Sequence, residues 1–254
     1  IVETSSRTGT PHLASCLSSV DLLTVLYFSV LRIDPANPRD PDRDRFIMSK
    51  GHGAMALFHA LAQRGFYSED ILRTYGEDGG VLAEHPPAPD FLAGIEAATG
   101  SLGHGLPIGL GMALAACIQK RSYNGYAILG DGECNEGSIW ECAMLSAAQK
   151  VNNLCAIVDF NKWQATGRSQ EIMALDSLVD KWRAFGWDTC EIDGHDMGAI
   201  LSALSKFPAA SNKPTAIIAH TVKGKGVSFM ENDNNWHYRI PTTEEVVKSK
   251  LELE

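Results

Sequence analysis

Tyr126-Ala127-Ile128-Leu129-Gly130-Asp131-Gly132-Glu133 begins a stretch that runs on to Asn161 and decides the fold. Tyr126 to Leu129 is a short apolar run with the character of a buried strand. Glu136 to Lys150 (EGSIWECAMLSAAQK) follows with helical composition and spacing. Leu154-Cys155-Ala156-Ile157-Val158 is a second apolar run of strand length. The unit is strand, glycine loop, helix, strand. A right-handed crossover makes the two strands parallel, so Asp131 and Asn161, each just past a strand, emerge at the same carboxyl edge of the sheet.

The same alternation continues on both sides. Phe46-Ile47-Met48, Asp188 to Ile192 and Thr215 to Thr221 read as three further strands. Helical spacing is expected over Val20 to Leu31, Ala54 to Gln63, Leu106 to Gln119 with Pro107 in its first turn, Met197 to Phe207 and Thr243 to Leu253. Ser68 opens a short helix that reaches Tyr75, and Asp176 is a candidate cap for a helix ending at Phe185. Gly79 to Gly100 reads as a long loop, because Pro86, Pro87 and Pro89 exclude regular helix, and long loops in compact domains are often functional. Five strands alternate with helices without repeat or linker, which predicts one α/β domain over 1–254: a doubly wound, mainly parallel sheet with helices on both faces.

The sheet edge carries chemistry suited to a hard cation. Mg²⁺ wants octahedral oxygen and takes few protein ligands, leaving the rest to water and phosphate, so one carboxylate and one amide oxygen fit. Gly130 and Gly132 clear side chains where backbone must approach an anion, and the following helix presents unpaired N–H groups at its positive end. Metal and amides together can neutralise a diphosphate. Neither G-x-x-x-x-G-K-[ST] nor a G-x-G-x-x-G after a strand is present. Asp131, Glu133 and Asn135 are not an EF-hand, whose sixth and twelfth positions would here be Glu136 and Cys142.

The 254 residues are 44% hydrophobic and 21% charged, an ordinary globular composition that can bury one sizeable core. The formal charge of −9 opposes general binding to nucleic acid or anionic membranes. No apolar run reaches the length of a spanning helix, and IVETSSRTGT lacks the pattern of a signal peptide, which makes the cytoplasm the default expectation. Six cysteines lie mostly inside apolar runs without a C-x-x-C pair and read as reduced core residues.

Six motifs in order extend the picture: Thr8-Gly9-Thr10-Pro11-His12-Leu13-Ala14-Ser15, Ser49-Lys50-Gly51-His52-Gly53, His85-Pro86, Gly100-Ser101-Leu102-Gly103-His104-Gly105, Gly130-Asp131-Gly132 through Asn161, and Trp236-His237. Together they resemble the diphosphate-binding half of transketolase, a thiamine-diphosphate (ThDP) enzyme that moves a two-carbon ketol unit from a ketose to an aldose. The resemblance implies Asp131, Asn161 and the main-chain carbonyl of Trp163 as ligands of Mg²⁺, with Ca²⁺ or Mn²⁺ as substitutes. It places Gly132, Lys50 and His52 near the diphosphate, Gly100 and Leu102 along the cofactor ring, and Ser15 at another cofactor contact. Ser101, Gly130, Glu133, Ala165 and Lys223 complete the implied cofactor set. His12, His52, His85 and His237 match the histidines around the reacting sugar. Converging imidazoles suit that role, since histidine titrates near neutrality and can pass protons to hydroxyl and carbonyl groups.

The match has departures. Pro11 stands where the family usually has glycine, and His104 where many relatives carry glutamine. His220 lies beside the strand end where some relatives place a cofactor-contacting lysine. Glu136 and Glu141 match acidic residues at the family's subunit contact, though acids are favourable in a helix's first turn in any case. The pyrimidine-binding and C-terminal domains of the family have no counterpart here. The resemblance therefore implies the N-terminal subunit of a split transketolase, inactive alone, whose partner subunit supplies the pyrimidine site in an α2β2 heterotetramer acting on small-molecule sugars. Two other readings stay open: the α subunit of a 2-oxo-acid dehydrogenase, disfavoured by His12, His85 and His237, and a non-catalytic ThDP-binding or scaffolding subunit.

Overall fold

A computed structural model describes residues 1–254. Five strands form one sheet: β1 (Arg45–Met48), β2 (Gly125–Gly130), β3 (Leu154–Phe160), β6 (Asp188–Asp193) and β7 (Thr215–His220). A two-stranded antiparallel ribbon, β4 (Trp163–Gln164) and β5 (Gly167–Arg168), stands apart from them. The sheet order is β1-β2-β3-β7-β6, and every pairing in it is parallel. All five carboxyl ends therefore lie along one edge.

Strand alternation divides the core into two layers. Phe46, Met48, Tyr126, Ile128, Cys155, Ile157 and Ile217 pack on one face with the helices Val20–Val25, Ala54–Arg64 and Met197–Leu204. Ile47, Ala127, Leu129, Ala156, Val158, Ala216 and Ile218 pack on the other with Gly105–Gln119, Gly137–Ala148 and Leu178–Ala184. Burial on both faces explains why these strands read as continuous apolar runs. From β3 the chain runs out to edge strand β6 and returns to β7 through the helix on the opposite face, so the sheet is doubly wound as expected.

The differences from expectation are local. The apolar run from Val20 stops being α-helical at Val25 and continues as a wider π turn over Leu26–Val30, closed by the Leu31 amide donating to the Leu26 carbonyl at 2.8 Å. Ser177, not Asp176, caps the helix at 178, its hydroxyl accepting from the Asp180 amide, while Asp176 accepts from Gln170. Gly132–Asn135 forms a short 3₁₀ turn ahead of the predicted helix. The helices Val2–Thr8 and Leu13–Leu17, both unforeseen, are held by a third apolar cluster with Val227, Met230 and Trp236. That cluster brings the two ends of the chain together beside the carboxyl edge.

Candidate functional site

At the carboxyl edge lies a cavity of about 330 Å³, within the size range of small-molecule sites. Its floor comes from the ends of adjacent strands. Asp131 follows β2 and Asn161 follows β3, and both are buried and line the cavity. Asp131 accepts from the Ser169 hydroxyl at 2.6 Å, and no lysine, arginine or histidine pairs with it. Burial pushes its carboxyl up to about 7, against the lowering effect of the Ser169 bond. Asn161 Oδ1 accepts from the Trp163 amide at 3.0 Å, and its Nδ2 donates to Ser18 Oγ at 3.5 Å, which fixes the amide's orientation.

This donor set answers whether a cation fits. A buried carboxylate without a counter-ion is costly, and a divalent ion reverses that cost. No three His, Cys, Asp or Glu side chains cluster to hold a metal, so a transition-metal cage is not built here. One carboxylate, one amide and nearby carbonyls are what Mg²⁺ uses when phosphate and water complete its shell. Trp163, the third implied ligand, also lines the cavity.

Beneath the floor is a saturated polar cluster that the sequence did not reveal. Asp159 in β3 is fully buried and takes the Lys50 ammonium and the Thr221 hydroxyl, with Ser18 Oγ donating at 2.6 Å. Lys50 also donates to the Ser15 carbonyl at 2.7 Å. The tips of β1, β3 and β7 and the helix Leu13–Leu17 are thereby locked together. Glu133 does similar work on the other side. Its Oε1 accepts from Ser49 Oγ at 2.5 Å and from the Gly103 amide at 2.9 Å, and its Oε2 from the Gly130 amide at 3.3 Å. Glu133 lines the cavity as expected of a cofactor residue, but both carboxylate oxygens are engaged by the chain, which makes it a brace.

The histidine wall is assembled from distant loops. His12, His52, His85 and His237 all line the cavity. Ring centroids are 5.1 Å apart for His12 and His52, 5.0 Å for His12 and His237, and 6.0 Å for His52 and His237. His12 is held at φ 69°, a conformation rare for a non-glycine residue, by its amide donating to the His237 carbonyl at 2.9 Å. His12 Nδ1 is buried without a hydrogen-bond partner. Burial, then His85 and Lys223, pushes His12 down to about 4, and burial, then Lys223, pushes His237 down to about 3. His52 is lowered well below the ordinary imidazole value by burial and by Lys50. These three imidazoles are neutral at physiological pH.

Ser15, Lys50, Gly100, Leu102, Gly130, Gly132 and Ala165 complete the part of the expected set that the structure brings together. Gly51 touches the Gly100 backbone so closely that a Cβ would lie 2.6 Å from the Gly100 nitrogen. That contact docks the long loop onto the tip of β1. Two expected cofactor residues fall outside the lining. Ser101 is exposed on the loop, and Lys223, though buried, directs its ammonium to Asn234 and His237. His220 bonds Glu191 at 2.7 Å in a more open groove beside β6 and β7, away from the cavity. Gln164, Thr166 and Tyr238 also line the cavity and were not anticipated. Gln164 and Thr166 belong to the ribbon and its turn, which are too short to give a periodic signal.

A cavity of small-molecule size at the carboxyl edge of a doubly wound parallel sheet, floored by a buried carboxylate and an amide and walled by histidines, defines a ligand-binding α/β domain. Residues 2–253 match the family model described as transketolase, thiamine diphosphate binding domain, and the chain belongs to that family. It is 43% identical over 253 residues to one of the subunits of an apulose-4-phosphate transketolase from Phocaeicola vulgatus, covering the whole of this chain and 89% of that protein. A 6-deoxy-6-sulfo-D-fructose transketolase subunit SqwG of a Clostridium species is 42% identical over 254 residues, covering 92% of that protein. Among solved structures, a transketolase from Leishmania mexicana superposes with a TM-score of 0.85 at 25% identity, over 94% of this chain and 40% of that one. The chain thus spans well under half of that transketolase. These likenesses favour the transketolase reading over the dehydrogenase and scaffold readings.

Proposed function

We propose that this chain is the diphosphate-binding subunit of a two-chain transketolase, transferring a two-carbon ketol unit between sugars with ThDP and Mg²⁺. The observation that carries the proposal is one cavity lined by both the Asp131–Asn161 floor and the four-histidine wall. Asp131, Asn161 and the Trp163 carbonyl would hold the metal, and Gly130 and Gly132 line the cavity beside them. ThDP, when bound, supplies the carbanion and the electron sink. The chain's own residues bind and orient. Lys50, its ammonium paired with Asp159, braces the floor under the diphosphate region, and Gly100 with Leu102 forms an apolar rest for the cofactor ring. His12, His52 and His237, neutral and within about 5–6 Å of one another, donate to or accept from substrate oxygens as charge develops there.

Tyr238, Ala165 and Thr166 line the cavity while themselves exposed, so one side of the site stays open. A partner carrying the pyrimidine-binding domain would close it, in keeping with the names of the two bacterial relatives, each of which specifies one component of a transketolase. An α2β2 assembly in the cytoplasm follows from that reading; no helix of the chain is long and apolar enough to cross a membrane. Both relatives' names specify sugars ending in an anion, a phosphate in one and a sulfonate in the other, which favours a ketose donor of that kind. The test is reconstitution. The purified chain should bind ThDP only with Mg²⁺ and turn over a phosphorylated ketose only after mixing with the pyrimidine-domain subunit. Turnover by the chain alone, or ThDP binding indifferent to chelation, would refute the proposal.

A further inference from the structure

We infer that Lys223 and Asn234 are positioning residues for His237, holding its imidazole as the tautomer protonated on Nε2 and leaving that N–H as the ring's free donor at the cavity. Lys223 follows β7 by three residues and is buried to 1% exposure. Its Nζ lies 2.7 Å from His237 Nδ1 and 2.8 Å from Asn234 Oδ1. An ammonium has three donors and no acceptor. Nδ1 must therefore accept, and the proton of the neutral ring resides on Nε2, which has no partner within the chain.

Asn234 makes the arrangement directional. Its Oδ1 accepts from Lys223 while its Nδ2 donates to the Ala165 carbonyl at 3.1 Å, so the amide cannot turn over without losing both bonds. Ala165 belongs to the turn between β4 and β5 and lines the cavity. A continuous relay thus runs from the ribbon wall through Asn234 and Lys223 to the His237 ring. The His237 carbonyl in turn receives the His12 amide, which passes the alignment to a second imidazole. Burial lowers His237 to about 3 and Lys223 only to about 8, which keeps the positive charge on the lysine and the ring neutral near pH 7.

The consequence deepens the proposed reaction and rests on it for the identity of the oxygen served. His237 would enter as a hydrogen-bond donor to a substrate oxygen, because its basic nitrogen is occupied. Lys223 would act on the reaction through the ring it orients.

The test begins with the ¹⁵N-labelled full chain near neutral pH, using two-bond ¹⁵N–¹H correlation with His237→Gln for assignment. A protonated Nε2 and an unprotonated Nδ1 at His237 are expected. Lys223→Met should scramble the tautomer, and Asn234→Leu should do so partially. In the assay with the pyrimidine-domain subunit, Lys223→Met should lower kcat by about 10²-fold with little change in the KM of the ketose donor. A native His237 protonated on Nδ1 overturns the inference. So does a Lys223→Met chain that keeps the Nε2–H tautomer. If Lys223→Met fails to fold, the native tautomer and the Asn234→Leu spectrum decide. Absence of ketol transfer with every donor would count against the proposed reaction and leave the tautomer result standing.

Discussion

The two ends of the cavity are built in opposite ways. The Asp131–Asn161 end is formed by residues immediately after adjacent parallel strands, on a base where Asp159, Lys50, Ser18 and Thr221 satisfy one another. The histidine end gathers four loops separated by as much as the length of the chain, from His12 to His237, with one backbone bond and edge contacts between rings. The strand tips supply rigidity that secondary structure provides automatically. The histidine wall must be positioned by specific contacts, and it carries the left-handed His12, an orphaned ring nitrogen and the Lys223 relay. Rigid polar bracing is placed on the sheet, and the imidazoles on loops that can be adjusted.

Three experiments can break that contrast. The largest effect belongs to Asp159→Leu, which leaves the Lys50 ammonium buried and unpaired. Stability should fall by about 3–5 kcal/mol, measured by urea unfolding, and the added change Lys50→Met should recover most of it. A loss below about 1 kcal/mol would show that the cluster does not brace the floor. Next, Asp131→Ala should weaken Mg²⁺-dependent ThDP binding by more than about 100-fold in calorimetry, and Ser169→Ala, which frees the carboxylate's orientation, by about tenfold. Both chains should remain folded. Equal effects from the two would mean that Asp131 is not in direct contact with the ion.

The smallest effect is a titration. His12 and His237 are depressed to about 4 and about 3, so both should keep neutral-ring NMR shifts down to about pH 5 in the isolated chain. Between the ordinary imidazole value and those depressed values the unfolded chain binds protons that the folded chain does not. The histidine wall therefore supports stability above about pH 6.5 and loses it as the pH falls toward 4. Ordinary titration of both rings near 6.5 would show the wall to be wetter and looser than the structure has it.

The same contrast explains what the sequence made legible. The β2–helix–β3 unit could be read directly, since apolar runs, the glycine turn and Asn161 after its own strand all follow from backbone geometry. Asp159 gives no such signal because it sits inside an apolar strand run and its partners, Lys50, Ser18 and Thr221, come from three other segments. The histidines are reached only by resemblance to a family, as no spacing links residues 12, 52, 85 and 237. Ser169 and Asn234 carry no local signal at all. Each does its work through one tertiary hydrogen bond network, which a single sequence does not encode periodically. Ser101 and Lys223 are placed at the cofactor by motif position and lie outside the cavity lining, the Lys223 ammonium on Asn234 and His237.

The near-touching backbones of Gly51 and Gly100 bear on how this architecture can vary in length. Additions and deletions in the long connection before the helix at 105 are expected to be tolerated at residues 88–91, all exposed and with Phe91 at 69%, and not around His85, which lines the cavity. They should be rejected near Thr99 and Gly100, where the Thr99 hydroxyl also donates to the Met48 carbonyl at 2.7 Å. A designer grafting a foreign segment onto this scaffold would have the outer stretch to work with, and would leave the riveted base alone.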